Sequence, residues 1–408
     1  MSETMTSHKI NLCWILTVLM LSSCGKDPDL GTSPSSSVYD VRISPLTNLI
    51  VGIGNTISFS ATPVDSSNQP LTVGIEWTVL NPTIVTIDGN GVATSLKAGT
   101  TTVIAKAGNQ EATAVVEVWD APPLDTYTSG EIYQGRNGYV EYIPGDLPLI
   151  LSAPHGGNIC PDEIVDRTYG SIGSCSSTGS DTNTDPLTRT VRNAFLQATG
   201  RAPHIIILKL ARPKLDANRD VTEAAQGNLF AKNTWSEYHG FIDVAKDTIS
   251  KEFGFGLYMD MHGHGHSVPR IELGYLLSKT DLQTINLDLT YMINKSSVKR
   301  LASVSGIDFT DLIRGPQSIG GLLEQLGIRA VPSDPDPAPV GDEKFFSGGY
   351  STRRHGSRDG GLIDGIQFEH HFTGLRDMPS NRLLYANVLI QVLRTFLDVH
   401  YGWSIPAS

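Results

Sequence analysis

Residues 257–266 read LYMDMHGHGH, a short apolar run that leads directly into a cluster of histidines. The run predicts a buried strand, and Asp260 stands two residues before the first histidine, His262. Imidazole is the commonest side-chain metal ligand, and a metal-bound imidazole usually donates its other N–H to a carboxylate. Because glycine- and histidine-rich turns also occur on surfaces, this segment alone leaves both a metal site and a plain loop open.

Polar groups also stand at the ends of other predicted strands, where open α/β sheets bind ligands. His155 follows a buried run in Pro154-His155-Gly156-Gly157, Asp181–Asp185 precedes a helix, and Glu369 ends the last predicted strand. Two histidines and one carboxylate, with a water in the open position, are the ligands of a hydrolytic zinc site. Glu369 is the free carboxylate best placed to act as general base beside such an ion.

Between these segments, residues 212–220 read RPKLDANRD. Arg212 and Arg219 offer planar donors that match a substrate carboxylate, and Asn218 adds another donor. A helix-capping and salt-bridge cluster explains the same residues, and their spacing alone favours it.

The hydrophobic pattern divides the chain of 408 residues into several parts. From about Gly130 onward, buried-strand candidates at 147–152, 204–210, 255–261 and 362–368 alternate with helical periodicity at 188–198, 222–253 and 381–400, which predicts an α/β domain. Val38 to Val118 shows short β-type runs separated by Asp-Gly and Asn-Gly turns, with Trp77 as the expected core aromatic. This segment resembles bacterial Ig-like group 2 domains, which implies a β-sandwich that serves as a spacer or adhesive module for a cell-surface glycan or protein.

The N-terminus has the pattern of an export signal. An apolar run from Ile10 to Leu21 is too short to span a membrane and suits a secretory signal. Leu21-Ser22-Ser23-Cys24 resembles the bacterial lipobox, which implies cleavage before Cys24 and lipidation of that cysteine. Gly25 favours sorting to the outer membrane, facing either the periplasm or the surface. An ordinary secretory signal with an incidental cysteine is the alternative.

Charge and cysteine usage narrow the partners further. The chain has 31 basic and 42 acidic residues and no basic block, which argues against nucleic acid as a partner. Outside the cytosol, Cys160 and Cys175 are most simply a disulfide, which in the chain-entropy account stabilises a loop of this size by about 3 kcal/mol.

Taken in order, the motifs of the second half resemble the N-formylglutamate amidohydrolase-like family, which is related in fold to the zinc carboxypeptidases. The matching pieces are Pro154-His155-Gly156-Gly157, Asp181–Asp185, Asp216-Ala217-Asn218-Arg219, Tyr238-His239, Asp260-Met261-His262-Gly263-His264, 348–356 and Gln367-Phe368-Glu369. One departure is that His-Gly-His stands where the family more often has His-Ser-His. Residues 160–179 also look like an insertion.

The resemblance implies one Zn²⁺ ion, with other divalent metals open, held by His155, Asp181 and His262, with Asp185 as the alternative carboxylate. It implies Glu369 as base and proton shuttle. Asn218 and Arg219, helped by Arg212, would hold a substrate carboxylate. Tyr350, Arg353 and His355 match a glycine-rich substrate loop, and Asp260 and His264 are candidates to support the ligands.

These patterns together predict a lipoprotein signal peptide (1–23), a flexible tether (24–37), an all-β Ig-like sandwich (38–119), a linker (120–135) and a catalytic domain (136–404). The catalytic domain is expected to be a three-layer α/β fold with a mixed sheet, of the phosphorylase/hydrolase-like type. The predicted activity is hydrolysis of an amide bond in a carboxylate-bearing substrate, either an N-acyl amino acid or a peptide C-terminus. An exported carboxypeptidase or peptidoglycan-trimming peptidase and a non-catalytic surface-binding protein remain as alternatives.

Overall fold

The computed structural model describes residues 37–119, 127–168, 175 and 180–405. The chain divides into two compact units at the boundary between Asp120 and Ala121. The predicted signal peptide, the lipidation site Cys24 and the tether up to residue 36 lie outside the described residues, as does the linker from 120 to 126. Among the described residues, no helix combines the length and the apolar character needed to cross a membrane.

The first unit is all-β, as the alternating runs predict. Its strands are β1 (Asp40–Ser44), β2 (Thr47–Val51), β3 (Thr56–Ser58), β4 (Ser60–Val64), β5 (Glu76–Val79), β6 (Val85–Ile87), β7 (Val92–Ser95), β8 (Gly99–Ala107) and β9 (Gln110–Trp119). They form sheets in the orders β2-β9-β8-β5, β3-β7-β6 and β1-β4. The described apolar side chains of these sheets enclose one core, which includes Phe59, Val103 and Val116.

The Asp88–Gly91 turn shows how local chemistry sets the pairing of β6 with β7. The carboxylate of Asp88 accepts hydrogen bonds from the backbone N–H groups of Asn90 and Val92, both at 2.9 Å. Gly91 has a φ of 80°, a conformation that favours glycine. Trp77 packs against the core only partly buried, with its ring centroid 6.5 Å from that of Phe59.

The second unit is built on a mixed eight-stranded sheet in the order β10-β11-β13-β12-β14-β17-β15-β16. Its strands are β10 (Tyr133–Gln134), β11 (Val140–Ile143), β12 (Leu149–Ala153), β13 (His204–Leu208), β14 (Gly256–Gly263), β15 (Ile271–Gly274), β16 (Ala330–Val331) and β17 (Ile363–His370). The central strands β13, β12, β14 and β17 run parallel, whereas β15 pairs antiparallel with β17. The predicted fold class, an Ig-like sandwich followed by an α/β domain with a mixed sheet, is confirmed.

Helices cover both faces of this sheet. They are α1 (Thr184–Thr199), α2 (Val221–Ala225), α3 (Leu229–Phe253), α4 (Lys279–Leu282), α5 (Thr290–Lys295), α6 (Lys299–Val304), α7 (Phe309–Arg314), α8 (Ile319–Gln325), α9 (Tyr350–His355) and α10 (Pro379–Tyr401). One core includes apolar side chains of α1 and α10, and a second includes those of α3. The helix predicted over 222–253 is interrupted, because Gln226 adopts a left-handed conformation and Asn228 caps a new helix.

Successive side chains of a strand point to opposite faces of the sheet, so one face can be apolar along its whole length while the other carries polar groups at the strand end. In β14, Leu257, Met259 and Met261 belong to the core under α1 and α10, whereas Tyr258 points to the α3 side. Asp260 and His262 share the parity of Tyr258 and therefore lie on the α3 side at the carboxyl end of the strand.

The disulfide predicted from the cysteine pair is confirmed. Cys160 and Cys175 are bonded, with their Cα atoms 6.0 Å apart. The bridge lies in the connection between β12 and α1.

Candidate metal centre

The sheet register aligns polar side chains from neighbouring strands into two rows. Ser152 of β12 lies opposite Asp260 of β14, which in turn lies opposite Gln367 of β17. One pleat further along, His262 lies opposite Glu369, which lies opposite Glu272 of β15. The second row therefore places an imidazole on β14 beside carboxylates on β17 and β15.

Three predicted ligands converge beside this second row. His155, Asp181 and His262 each offer one ligand atom, and these atoms all lie within 4.8 Å of one another. The Nδ1 atoms of His155 and His262 are 3.4 and 3.1 Å from Oδ2 of Asp181. The backbone holds Asp181 in place, since its N–H donates to the carbonyl of His155 at 3.0 Å and its carboxylate accepts from the N–H of Gly263 at 3.2 Å.

Each imidazole directs its other nitrogen toward a buried carboxylate. Nε2 of His155 is 2.6 Å from Oδ1 of Asp216, and Nε2 of His262 is 3.0 Å from Oδ2 of Asp260. A carboxylate at Nε2 sets the tautomer that leaves Nδ1 free to bind a metal. Ser152 holds Asp260 through a 2.9 Å hydrogen bond to its other oxygen.

The chemistry of these donors fits a divalent cation. Nδ1 of His155 is buried and has no hydrogen-bond partner among the described residues, although buried polar atoms are normally paired. Nδ1 of His262 faces the same carboxylate oxygen. Two nitrogens and one carboxylate oxygen are the donor types that zinc takes in catalytic sites, where a further position is left for water.

Charge in the cluster is distributed unequally among its carboxylates. Burial would raise the pKa of Asp181, but the imidazoles of His155 and His262 hold it below its ordinary value. Burial raises the pKa of Glu369 to about 8, against the opposing effect of His262. The same pocket therefore holds one strongly acidic carboxyl and one that binds its proton more tightly.

Glu369 lies next to the three candidate ligands without being one of them. Its Oε1 accepts a hydrogen bond from the side-chain amide of Gln367 at 2.8 Å and is 4.0 Å from Nδ1 of His262. Its Oε2 is buried and has no hydrogen-bond partner among the described residues. This oxygen is thus available for a group that the cavity would admit.

The cavity over the cluster has a volume of about 260 Å³. Besides the cluster, its walls include the predicted carboxylate-binding residues Arg212, Asn218 and Arg219 and the loop Phe345–Gly349. Arg212 already forms ion pairs with two carboxylates, since its Nε is 3.0 Å from Asp216 and its Nη1 is 3.9 Å from Asp181. Arg219 is 40% exposed and pairs with Glu223 at 3.1 Å, and Oδ1 of Asn218 accepts from the N–H of Ser351.

The other predicted substrate residues, Tyr350, Arg353 and His355, are not among those that line this cavity. They lie on α9, which turns away after Gly349. Arg353 is 57% exposed and pairs with Asp359, whereas the buried His355 is 2.8 Å from Nδ1 of His239. Within residues 348–356, the lining residues are Gly348 and Gly349.

Two other predicted site residues have partners of their own. Asp185, the alternative ligand, pairs with Arg189 at 2.6 Å. Nε2 of His264 donates to the carbonyl of Arg270 at 2.7 Å, and its Nδ1 accepts from the N–H of His266. With both ring nitrogens in use, His264 helps to hold the turn after β14.

Sequence reasoning did not assign Asp216, Glu272 or the phenylalanines of the cavity wall. Asp216 stands within the quoted Asp-Ala-Asn-Arg motif, and the need of His155 for a carboxylate partner was a usable signal. Glu272 becomes visible only through its register with Glu369. Phe345 and Phe346 come shortly before Gly348 and Gly349, with which the quoted motif 348–356 begins.

A comparison with known families identifies the domain type of the first unit. Residues 37–118 match the family model of the bacterial Ig-like domain (group 2). Domains 4 and 5 of the S-layer protein SbsC are 17% identical over 20% of this chain, with a TM-score of 0.19, and the chain covers 53% of that structure. An Ig-like domain of this kind suggests an extracellular or cell-surface protein.

Two other solved structures match a larger share of this chain. The N-formylglutamate amidohydrolase of Ralstonia eutropha JMP134 is 14% identical, with a TM-score of 0.39, over 65% of this chain and 99% of that one. A gene product of Agrobacterium tumefaciens is 14% identical, with a TM-score of 0.38, over 64% and 95% of the two chains. No curated protein matches the chain.

Proposed function

We propose that this protein is an exported, zinc-dependent hydrolase that cleaves an amide bond in a small carboxylate-bearing substrate such as an N-acyl amino acid. The observation that carries the proposal is the convergence of His155, Asp181 and His262 beside the unpaired Oε2 of Glu369. The fold places these groups at the carboxyl edge of a parallel sheet, where α/β proteins bind their ligands.

His155, Asp181 and His262 would hold the ion, and Asp216 and Asp260 would keep both imidazoles in the ligating tautomer. When bound, zinc makes a water molecule a better nucleophile at neutral pH and polarises a carbonyl group. The positive charge of a bound cation would lower the raised pKa of Glu369 and favour its ionised form. Glu369 would then accept a proton from the attacking water and return it to the amide nitrogen as the C–N bond breaks. Gln367 orients Glu369 through the hydrogen bond to Oε1.

Substrate selection would come from the donor side chains that line the cavity beside the proposed ligands. Arg219 and the amide of Asn218 line the cavity and can donate to a carboxylate, and Arg212 adds positive charge. A volume of about 260 Å³ is below the usual range of small-molecule sites, about 300–1,000 Å³. This size suits a small group such as an N-acyl amino acid.

The decisive experiment measures metal and activity on the same purified protein. Elemental analysis should find about one zinc per chain, and N-acyl amino acids should be hydrolysed. Glu369→Gln should keep the metal and lose turnover by about 10³-fold, within the 10²–10⁴-fold range of general base catalysis. Glu252→Gln on α3, 51% exposed, is the matched control and should keep both.

A protein without bound metal would contradict the proposal, as would full turnover by Glu369→Gln. Bound metal with no hydrolysis of any N-acyl amino acid or peptide would favour the non-catalytic surface-binding alternative.

Export and anchoring form the second part of the proposal and rest on the sequence around Cys24. A labelled fatty acid should be incorporated into the full-length protein in a bacterial host, and Cys24→Ser should abolish the label. Incorporation of the labelled fatty acid into the Cys24→Ser protein would rule out Cys24 as the site of the lipid anchor.

A further inference from the structure

The loop Phe345–Gly349 contributes an uncharged part of the cavity wall that includes two phenylalanines. Phe345 is partly buried against the apolar core, whereas Phe346 keeps 43% of its surface exposed. Gly349 lies so close to Asn218 that an added Cβ would collide with the Asn218 amide. The loop therefore runs from Phe346 to the residues proposed to bind the substrate carboxylate.

Although it is exposed, Phe346 is held from two sides. Glu272, fully buried on β15, accepts the backbone N–H of Phe346 at 2.8 Å and pairs with Nδ1 of His266 at the same distance through its other oxygen. The ring of His266 stacks on that of Phe346, with 4.6 Å between centroids and 18° between planes. A large apolar ring fixed in this way presents a preformed surface to whatever enters the cavity.

The strand order separates this ring from the cations. The sheet runs β13-β12-β14-β17-β15. The segment after β13 carries Arg212 and Arg219, β14 and β17 carry His262 and Glu369, and β15 carries Glu272, which holds Phe346. Along the sheet, the order is thus cations, metal ligands and base, then the aromatic ring. Phe346 and Gly349 are three residues apart, so the loop between them spans at most about 11 Å.

From this order we infer that the cavity binds N-acyl amino acids whose acyl group is apolar and larger than formyl, with Phe346 as the main acyl contact. This inference rests on the proposed function. With the carboxylate at Arg219 and the scissile carbonyl beside Glu369, the acyl substituent lies toward Phe346. A formyl group has only hydrogen beyond its carbonyl carbon and would leave the ring uncovered.

In the reaction, the oxygen of water bonds to the carbonyl carbon and the C–N bond breaks. One proton of the water passes to the nitrogen, and the products are a carboxylic acid and the free amino acid. No oxidant or other co-reactant is needed.

The test uses the zinc-loaded full chain with N-formyl, N-acetyl, N-hexanoyl and N-phenylacetyl derivatives of one amino acid. We expect kcat/KM to be at least about tenfold higher for hexanoyl than for formyl, since each buried methylene contributes about fourfold. Phe346→Ala should reduce this hexanoyl-to-formyl ratio about tenfold, and Phe346→Leu should restore part of it. Tyr291→Ala, a change of an aromatic residue that is 58% exposed and does not line the cavity, should leave the ratio unaltered.

Binding supplies a readout that does not depend on turnover. In zinc-loaded Glu369→Gln protein, calorimetry should give a Kd that falls from the formyl to the hexanoyl derivative. Faster turnover of the formyl substrate, or a ratio insensitive to Phe346→Ala, would overturn the acyl site and leave the hydrolase intact. Absence of turnover throughout the series in metal-loaded protein would instead overturn the proposed function. If there is no turnover, the acyl site is still tested by binding: a Kd that stays constant along the series would contradict it.

Discussion

The two units differ most in what they bury. In residues 37–119, the buried polar side chains are Ser95 and Thr101, neither of them charged. The α/β unit buries His262 and Glu369 in the wall of one cavity, and it buries Asp216 and Asp260 next to the imidazoles of His155 and His262. Burying ionisable groups is costly unless they are paired or bind a metal, and their concentration in the α/β unit is the reason for placing the proposed site there. The core of the Ig-like unit contains no such groups among the described residues.

Of the changes considered, lowering the pH should produce the largest difference in stability between the two units. Burial lowers the pKa of His204 and of His355 to about 4, from an ordinary value of 6.5. Both therefore fold as neutral imidazoles, so their contribution is fully present above pH 6.5 and is lost as the pH falls toward 4. Each represents on the order of 3 kcal/mol by the usual conversion of 1.36 kcal/mol per pKa unit.

Calorimetry between pH 7 and 4.5 should show the α/β transition moving to lower temperature while the Ig-like transition, whose residues 37–119 contain no histidine, stays in place. His204→Asn, which keeps an acceptor for Tyr142, should reduce the shift. Equal shifts of both transitions would show that buried imidazoles do not account for the acid response. In the Ig-like unit, the hydrogen bond from the backbone N–H of Val92 lowers the pKa of Asp88 below its ordinary value of 3.8. Protonation of Asp88 should therefore reduce the stability of this unit only at a pH near or below 3.8.

Loss of the disulfide should produce the next largest difference in stability between the two units. The bridge between Cys160 and Cys175 closes a loop with a sequence separation of 15 in the α/β unit. Loss of that cross-link should lower the free energy of unfolding of this unit by about 3 kcal/mol. Denaturant titration of the Cys160→Ser/Cys175→Ser protein would measure it, with the Ig-like transition as internal reference. An unchanged α/β midpoint would mean that the bridge does not constrain the unfolded chain.

The smallest expected effect concerns the support of a proposed ligand. Asp216→Asn removes the charge beside Nε2 of His155 and should weaken zinc binding 10- to 100-fold, the usual range for such partners. Zinc should then raise the α/β melting temperature less than in the unaltered protein and leave the Ig-like transition unaffected. Asp220→Asn, at the exposed cap of α2, is the control. Equal zinc-dependent shifts in the Asp216 variant and the unaltered protein would exclude the supporting role.

Much of the fold could be predicted because it follows from local pattern. Alternation and turn dipeptides predicted the Ig-like strands, and buried runs predicted β12, β13, β14 and β17. The short strands β15 and β16 and the helices between them went unpredicted. Their runs are brief, and their pairing joins segments far apart in the chain.

The chain's residue order is enough to predict that His155, His262 and Glu369 stand at strand ends and offer metal-binding or proton-transferring groups. Their partners become known only from the folded arrangement. His155 meets Asp216, 61 residues away, and Phe346 meets Glu272, 74 residues away. It also turned Arg353 and His355 away from the cavity. The physical reason is that local periodicity encodes burial and turning, whereas contacts between distant segments depend on strand order and register.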